Sequence, residues 1–427
     1  MRIPKSLFLI AVLIGSSCSN GHEDHYVPRE PVVQQRSVKR GVAFGFQFEQ
    51  DIDALAPGIS WSYNWRPSQN SALGPAMDRY EIDFCPMAWN GINTQLLSEY
   101  ISRNPDCEYL LAFNEPNLVD QANITPEVAA ERWPDVKAAA EEHGLKIISP
   151  AMNYGTLEGY EDPIVWLDEF FELVPLSDVE GIAVHCYMTS PGSLKAFLDR
   201  FDKYGKPIWL TEFCAWDGPV TPESQERFMA DVLNYLESDP RIFRYSWFIP
   251  RGNGSADNFP YMFLLENSAN VSLTALGKIY TQMSTLDKET FYVEQQTIEA
   301  EHYSDISVSE AVGIEGWSRG PQVRVTTEAP NESLELYNFF TDQWVEYQVE
   351  MDRSKDFTLE IRYASFADSE LEIWVDGNVQ TTIPLPSTEQ DFIWRTATTS
   401  LDLTEGKHTI RLVQQSGTCS INWLRIV

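Results

Sequence analysis

The chain has 427 residues, enough for one large domain and a smaller one. Its 63 acidic and 31 basic residues give a net charge of −32, which repels phosphate backbones, so nucleic acid is excluded as an expected partner. Five Cys follow position 18, an odd number without a CxxC pair, so we expect neither a zinc site nor a full disulfide framework, and one unassigned bridge stays open.

The first eighteen residues have the pattern of a bacterial lipoprotein signal peptide. Arg2 and Lys5 form a charged start, and the apolar stretch that follows is too short to span a bilayer. It ends in Ser16-Ser17-Cys18, which resembles a lipobox with Gly15 in place of the usual Leu. We predict lipidation of Cys18 and a lipoprotein at the outer membrane or cell surface of a bacterium; secretion with a free Cys18 is the alternative.

Residues 19–38 are polar and predict a flexible linker between the lipid and the first domain. Two His flank an acidic pair in this segment, at His22 and His25, but the spacing is not that of an HExxH zinc motif. We therefore expect no metal there.

Short apolar runs alternate with helical segments in residues 39–286. One helical segment, Pro126–His143, is preceded by Thr125 as a cap and has Pro at its first position. Eight strand–helix units in this length predict a (β/α)8 TIM barrel. A doubly wound sheet is the alternative, but no Gly-rich phosphate loop follows any run. The eight runs are 41–44, 59–63, 82–87, 109–113, 146–149, 181–185, 207–211 and 243–248.

Residues 297–427 change to a period of two, which is typical of strands with one buried face. Examples are the runs 344–349, 357–363, 371–375 and 408–413. Asp376-Gly377 directly follows one of them and predicts a type I′ hairpin turn. We expect an all-β jelly-roll sandwich of about 130 residues after the barrel.

A carboxylate ends the fourth run. Tyr109–Phe113 is too short for a helix and is followed at once by Asn114-Glu115-Pro116. Pro116 supplies no N–H and disfavours a helical Glu115, so the strand has to end there. The carboxyl end of a barrel strand is where catalytic groups lie, although a lone Glu in a loop is the plainer interpretation.

A second carboxylate, Glu212, ends the seventh run, 97 residues after Glu115. Three barrel units of about 31 residues each predict a spacing of about 94, so both carboxylates should face one mouth. Two facing carboxylates are what cleavage of a glycosidic bond needs. No GxSxG motif, HExxH motif or carboxylate cluster supports a serine triad or a catalytic metal.

These two strand ends resemble those of the retaining glycoside hydrolases of clan A. Five segments narrow the resemblance to glycoside hydrolase family 128, which comprises β-1,3-glucanases with a barrel core. The resemblance runs from about Gly41 to Met283. The segments are Ile59–Trp65, Phe84–Trp89, Phe113–Asn117, Ala183–Tyr187 and Ile208–Phe213.

The resemblance implies that Glu115 is the acid/base and Glu212 the nucleophile. Glu115 then has to hold a proton while Glu212 is ionised, so we expect a raised pKa for Glu115 and a lowered one for Glu212. We also expect about 5–5.5 Å between the carboxylates and retention of configuration.

Other barrel residues receive roles from the same resemblance. Asn114 would bind the sugar 2-OH, Tyr187 would orient Glu212, and Trp247 would form the floor of the cleaved subsite. His185 is either an active-site contact or a structural histidine. Stacking on sugar faces and burial in the core are equal alternatives for the remaining candidates, which are Trp65, Trp89 and Trp216.

The sandwich resembles a family 6 carbohydrate-binding module. That resemblance implies a structural Ca²⁺ held by Glu299, Glu301 and Asn422, where Asp is common at the last position. It also implies an aromatic pair at one loop end, for which Tyr337 and Phe392 are the candidates. A Trp is usual near position 391, and we expect Trp394 in the core instead. The departures at these positions count against the usual cleft, so the alternatives are binding through another face, weak binding, or a role as a spacer only.

Together these patterns predict an endo-acting β-1,3-glucan hydrolase. We expect a β-glucan substrate, no catalytic cofactor, a lipid anchor in the membrane and a monomeric state. An exo-acting enzyme, a hydrolase of another β-glucan in the same clan and a non-catalytic, surface glycan-binding lipoprotein are the alternatives.

Overall fold

A computed structural model of the protein describes residues 29–216, 218–252, 254–266, 271–310, 317–330 and 333–427. The predicted signal peptide (1–18), the predicted lipidation site Cys18 and linker residues 19–28 lie outside the described residues. Within the described ranges, no helix combines the length and the apolar character that a membrane span requires. In the same ranges, Cys85, Cys107, Cys186, Cys214 and Cys419 form no disulfide bond.

Eight parallel strands form the predicted barrel. Strand β1 pairs with both β2 and β8, and isolated bridges join the chain around β3 to β4 and around β5 to β6, so the ring of strands closes. This confirms the predicted fold class of the first domain. The strands are β1 (Arg40–Ala43), β2 (Trp61–Tyr63), β3 (Asp83–Phe84), β4 (Tyr109–Leu111), β5 (Lys146–Ile148), β6 (Ile182–Cys186), β7 (Ile208–Phe213) and β8 (Ile242–Trp247).

In the part of the barrel that the structure describes, eight helices surround the strands. Helix α4 begins where the Thr125 hydroxyl accepts a hydrogen bond from the Val128 N–H at 3.4 Å, and it ends before Gly144, whose φ of 68° is left-handed. The helices are α1 (Glu49–Leu55), α2 (Gly74–Arg79), α3 (Thr94–Arg103), α4 (Pro126–His143), α5 (Pro163–Leu173), α6 (Pro191–Asp199), α7 (Pro222–Ser238) and α8 (Ala275–Gln282). Short 3-10 turns cover Ser71–Leu73, Leu176–Asp178 and Asp202–Tyr204.

The amino-terminal end of the barrel is filled by aromatic rings around one cation. The guanidinium of Arg244 lies 5.4 Å from the ring centres of Tyr109 and Trp209 and 5.5 Å from that of Trp61. It also pairs with Asp83 at 2.6 Å. These side chains fill the barrel interior at this end, and the residues at the carboxyl ends of the strands line an open mouth.

The second domain is the predicted all-β sandwich. One sheet has the order β14-β15-β22-β17-β20 with β10 on β22, and the other has the order β11-β16-β21-β18-β19 with β9 on β16. Asp376 and Gly377 join β18 to β19 with φ of 50° and 78°, as a type I′ turn requires. The first strands are β9 (Tyr292–Val293), β10 (Thr297–Glu299), β11 (Asp305–Ile306), β12 (Val308–Glu310), β13 (Trp317–Arg319) and β14 (Gln322–Val325). The others are β15 (Leu334–Phe340), β16 (Trp344–Met351), β17 (Lys355–Ala364), β18 (Ser369–Val375), β19 (Asn378–Leu385), β20 (Arg395–Leu403), β21 (Gly406–Ser416) and β22 (Thr418–Ile426).

The two domains share a packed junction. Strands β13 and β14 lie against α7, and the Tyr303 hydroxyl donates to Asn234 Oδ1 at 2.9 Å across the boundary. Residues 29–38, the described part of the predicted linker, lie along the surface of both domains near this junction. Gln296 exchanges hydrogen bonds with the Val32 backbone, and Arg36 donates to backbone oxygens beside α1 and α2, including that of Tyr80 at 2.7 Å. This part of the linker is therefore held against the protein.

Candidate active site

Both predicted carboxylates lie at the open mouth of the barrel. Glu115 follows β4 and is 6% exposed, and Glu212 lies within β7 and is 4% exposed. One oxygen of each carboxylate and a ring nitrogen of His185 all lie within 4.8 Å of one another. Glu115 has a φ of 44°, a left-handed conformation that a non-glycine residue adopts only where the surroundings impose it.

Three neutral donors surround Glu212. The Tyr63 hydroxyl and the Trp65 indole N–H donate to Oε1 at 2.7 and 2.8 Å, and the Tyr187 hydroxyl donates to Oε2. Burial raises the pKa of Glu212, and the nearby negative charge of Glu115 adds to this, although His185 and the donors oppose it. The net pKa is raised.

Glu115 has a different set of partners. His185 Nδ1 lies 2.9 Å from Glu115 Oε1, and the Asn153 amide donates to the same oxygen at 3.2 Å. Burial raises the pKa of Glu115, but the charge and hydrogen bond of His185 outweigh it, so the net pKa is lowered. Burial lowers the pKa of His185, and attraction to Glu212 and Glu115 reverses the direction, so the pKa of His185 is raised.

The expected directions of the two carboxylate pKa shifts are therefore wrong. The sequence predicted a raised pKa for Glu115 and a lowered one for Glu212, and the structure has the reverse. The physical reason is the position of His185, which forms its short contact with Glu115 and lies 3.5 Å from Glu212. No pattern in the sequence indicates which of the two carboxylates His185 contacts.

A cavity of about 890 Å³ opens above the pair. Trp65, Trp89 and Trp216 all line it, so for these three the stacking alternative is open. Asn114 lines it as well, and its buried Oδ1 has no hydrogen-bond partner. Further lining side chains come from the segments after β4, β5, β6 and β8 and include Gln121, Tyr154, Met188, Phe248 and Phe259.

The predicted role of Trp247 is wrong. Trp247 is fully buried, donates to the Met262 carbonyl at 2.8 Å and packs against Phe213 and Tyr280 in the layer between strands and helices. Successive side chains of a strand point to opposite faces, so the next residue, Phe248, faces the cavity instead.

Besides the lining residues just named, two donors to the carboxylates, Tyr63 and Asn153, were not predicted. Tyr63 lies two residues from both Trp61 and Trp65, and alternate residues of a strand share a face. The prediction of Trp65 at the mouth therefore also implied that Tyr63 faces the barrel interior, where it is buried. Asn153 lies beyond the end of β5, where no pattern in the sequence marks its contact with Glu115.

The predicted calcium ligands share one depression of about 720 Å³ in the sandwich, beside the end of α8. Burial raises the pKa of Glu301 to about 8, and its Oε2 is buried without a hydrogen-bond partner. Burial also raises the pKa of Glu299. Asn422 donates through Nδ2 to Glu328 at 2.7 Å, which turns its Oδ1 toward the Ser333 hydroxyl at 3.4 Å. Carboxylate and amide oxygens with an unpartnered member fit a hard cation.

The predicted sugar-binding aromatics lie near each other at what we call the loop end of the sandwich: Arg324, Tyr337, Asp391 and Phe392. Phe392 is 52% exposed, whereas Tyr337 is half-buried. The guanidinium of Arg324 lies 4.6 Å from the Tyr337 ring centre and 3.5 Å from Asp391. The expectation that Trp394 lies in the core is wrong, because it is half-buried at the surface and donates to Thr327 at 3.2 Å.

Comparison with protein families matches both domains. Residues 41–280 match the glycosyl hydrolase catalytic core, and residues 315–427 match the carbohydrate-binding module of family 6. The barrel resembles the crystal structure of a family 128 (subgroup II) endo-β-1,3-glucanase from Pseudomonas viridiflava, with 37% identity, a TM-score of 0.54, and 58% of this chain and 98% of that one covered. The corresponding Sorangium cellulosum enzyme has 33% identity and a TM-score of 0.50, with 57% and 98% covered.

A match to a curated relative covers the same part of the chain. Alkali-sensitive linkage protein 1 of Schizosaccharomyces pombe is 28% identical over 259 residues, which are 57% of this chain. The match spans 44% of that protein's length, so this chain covers less than half of it.

Proposed function

The chain belongs to the glycosyl hydrolase catalytic-core family and to the β-1,3-glucanases of glycoside hydrolase family 128, and from that premise we propose that it is a retaining, endo-acting β-1,3-glucanase. The observation that carries the proposal is the facing pair of buried carboxylates, Glu115 and Glu212, under an open cavity lined with aromatic side chains. Hydrolases of this family need no catalytic cofactor.

The spacing of the pair supports retention. An oxygen of Glu115 lies within 4.8 Å of one of Glu212. Retaining enzymes have carboxylates about 5–5.5 Å apart, and inverting enzymes need about 6.5–9.5 Å to admit a water molecule between carboxylate and sugar. The short separation leaves Glu212 to attack the sugar directly.

The reaction then has two steps. A Glu212 oxygen attacks the anomeric carbon while a proton held at Glu115 moves to the glycosidic oxygen, so the C–O bond breaks and the leaving sugar departs as an alcohol. Water next attacks the same carbon, gives a proton to Glu115 and releases the Glu212 carboxylate. Tyr63, Trp65 and Tyr187 hold the charge of Glu212 before and after the covalent intermediate.

The proton for the first step belongs to the pair of Glu115 and His185. A proton on His185 Nδ1 with an ionised Glu115 and a proton on Glu115 with a neutral His185 are the same protonation state of the pair. The proton moves between the two arrangements along the 2.9 Å contact between His185 Nδ1 and Glu115 Oε1. His185 Nε2 carries its proton in both arrangements, because a neutral imidazole that accepts at Nδ1 is protonated at Nε2, so the transfer changes only the contact between Nδ1 and Glu115 Oε1.

The lining of the cavity supports endo action. Its side chains come from the segments after seven strands, from Trp65 beyond β2 to Phe248 beyond β8. A chain cleaved internally needs sugar contacts on both sides of the scissile bond, and the extent of this lining is the feature that supports our proposal of such contacts. An exo-acting enzyme is the alternative, which loops closing one end of the cavity would favour.

Laminarin hydrolysis tests this function. We expect the wild-type protein to release a ladder of oligosaccharides from laminarin and to cleave linear β-1,3-oligosaccharides internally. Glu212→Gln should be inactive, whereas Glu131→Gln, on the exposed face of α4, should match the wild type. Release of glucose alone would favour the exo-acting alternative. Equal rates for wild type and Glu212→Gln would remove the catalytic assignment.

A structural calcium ion belongs to the same proposal. Glu299, Glu301 and Asn422 would hold it through oxygens, and the unpartnered Oε2 of Glu301 is the observation that supports it. When bound, the ion neutralises the charge of a buried carboxylate and ties β10 to β22.

We further propose a lipid anchor on Cys18 that places the enzyme at a bacterial surface as a monomer. Its support is the sequence pattern alone. Incorporation of labelled palmitate in cells producing the wild type, and none in those producing Cys18→Ser, is the expected result. Label in neither protein would favour plain secretion.

A further inference from the structure

One cavity residue, Tyr154, has no part in the reaction described above. It follows β5 and is 48% exposed, with its ring on the cavity. An aromatic ring held open at the rim of a sugar cavity offers a flat apolar face to the C–H groups of a pyranose.

The side chain of Tyr154 is fixed from behind. Its ring packs on the buried ring of Phe197 in α6, with 5.2 Å between ring centres. Its hydroxyl accepts a hydrogen bond from Arg200 at 3.1 Å. Both oxygens of Asp162 accept from Arg200 at 2.7 Å, so the arginine is clamped as well. A ring held in this way loses little freedom when a ligand stacks on it.

The backbone around Tyr154 is equally constrained. The Asn117 amide donates to the Asn153 carbonyl at 2.7 Å and to the Tyr160 carbonyl at 3.1 Å. A Cβ on Gly155 would come within 2.5 Å of Asn117, so the chain turns here only because position 155 is glycine. These contacts join the Tyr154 segment to the segment that carries Glu115.

The position of Tyr154 assigns its side of the scissile bond. Its neighbour Asn153 donates to Glu115, while the donors to Glu212 are Tyr63 in β2, Trp65 beyond it and Tyr187 just after β6. A group that protonates the glycosidic oxygen lies beside the departing sugar. We propose that Tyr154 is the stacking platform for the sugar on the leaving-group side and sets the preference for substrates that carry a sugar there. This inference rests on the proposed function.

A pair of substrates isolates this contact. Laminarihexaose places a sugar on both sides of the scissile bond, whereas β-laminaribiosyl fluoride has a fluoride, which cannot stack on a ring, in place of the leaving sugar. For Tyr154→Ala we expect kcat/KM on laminarihexaose to fall about tenfold, the scale of one lost aromatic contact. On the glycosyl fluoride we expect a change below about twofold, because no leaving-group ring or sugar is there to stack, and this rate also reports that the variant is folded.

Two more variants sharpen the test. Tyr154→Trp should restore most of the hexaose activity, because it keeps a ring at the same position. Tyr80→Ala is the matched control, since Tyr80 is another tyrosine beside an arginine, with 4.8 Å from the Arg79 guanidinium to its ring centre, but at the other end of the barrel. It should leave both rates unchanged.

The failures can be told apart. Equal losses on both substrates, or no loss on either, would overturn the platform while the wild-type rates leave the proposed function standing. A wild-type protein that cleaves neither substrate would overturn the proposed function and this inference with it.

Discussion

At the barrel mouth, Trp65 and Tyr187 donate hydrogen bonds to a carboxylate and still line an open cavity. At the loop end of the sandwich, Tyr337 lies under the guanidinium of Arg324. Arg324 is in turn fixed by Glu335, a fully buried carboxylate 2.6 Å away. In the first region the polar groups leave the rings free for a ligand, and in the second an internal cation takes a ring face that a sugar would use. Aromatic residues therefore mark a sugar site only where their neighbours leave a face open.

The largest effect is expected at the barrel mouth, when the acid/base Glu115 is removed. Glu115→Ala should lower kcat/KM on laminarin by about 10³-fold, within the range for a lost general acid. A dinitrophenyl glycoside needs no protonation of its leaving group, so its first step should be largely kept, and azide should restore turnover. Glu131→Ala is the matched control on the barrel surface. An equal loss on both substrates without azide rescue would contradict the role of Glu115.

A second test addresses the shared proton. The charged groups acting on His185 are Glu115 and Glu212, and they raise its pKa, so the pair with Glu115 keeps its proton to a higher pH than a free histidine does. Activity that needs this proton is present below the apparent pKa of the pair and is lost as the pH rises through it. The pair binds the proton at least as tightly as Glu115 alone.

In His185→Asn the alkaline limb of the kcat/KM profile should therefore move to lower pH, with about a tenfold loss at the optimum. His143→Asn, which removes a half-buried histidine paired with Ser98 on the barrel surface, should leave the profile in place. An alkaline limb that stays put or moves to higher pH in His185→Asn would contradict the shared proton.

The proposed calcium site can be tested separately from the loop end, through the thermal stability of the sandwich. Added Ca²⁺ at a hundred times its Kd should stabilise the folded sandwich by about 2.7 kcal/mol, which corresponds to a rise in Tm of about 5–10 °C. Thermal melts with Ca²⁺ and with EDTA measure it. Glu301→Gln removes the buried charge and should not respond. A wild-type Tm that is independent of Ca²⁺ would contradict the proposed calcium site.

The smallest effect is expected at the loop end. Because Arg324 covers the Tyr337 ring, Tyr337→Ala should change the retention of the full chain on insoluble β-1,3-glucan by less than about twofold. Phe392→Ala, at an exposed ring beside it, is the comparison variant. A tenfold loss of retention in Tyr337→Ala would show that the ring is available and would remove the contrast between the two regions.

The sequence was informative where chemistry coincides with strand ends. Strand β4 ends at Leu111, and Glu115 follows it just before Pro116. The unit length of a barrel sets the distance to Glu212, so the pair was predictable. Trp247 shows the limit, because a shift of one residue turns a side chain from the cavity to the helix layer. Asn153 and the partner of His185 depend on loop geometry and on three-dimensional proximity, which no local pattern encodes. Arg324 over Tyr337 is a contact of the same kind.

The central claim is that Glu115 and Glu212 cleave a β-1,3-glucan with retention. Its most direct test is the anomeric configuration of the first product, followed by ¹H NMR during rapid hydrolysis of a linear β-1,3-oligosaccharide. The short separation of the two carboxylates predicts that the β-anomer appears first and mutarotates later. First appearance of the α-anomer would contradict the account.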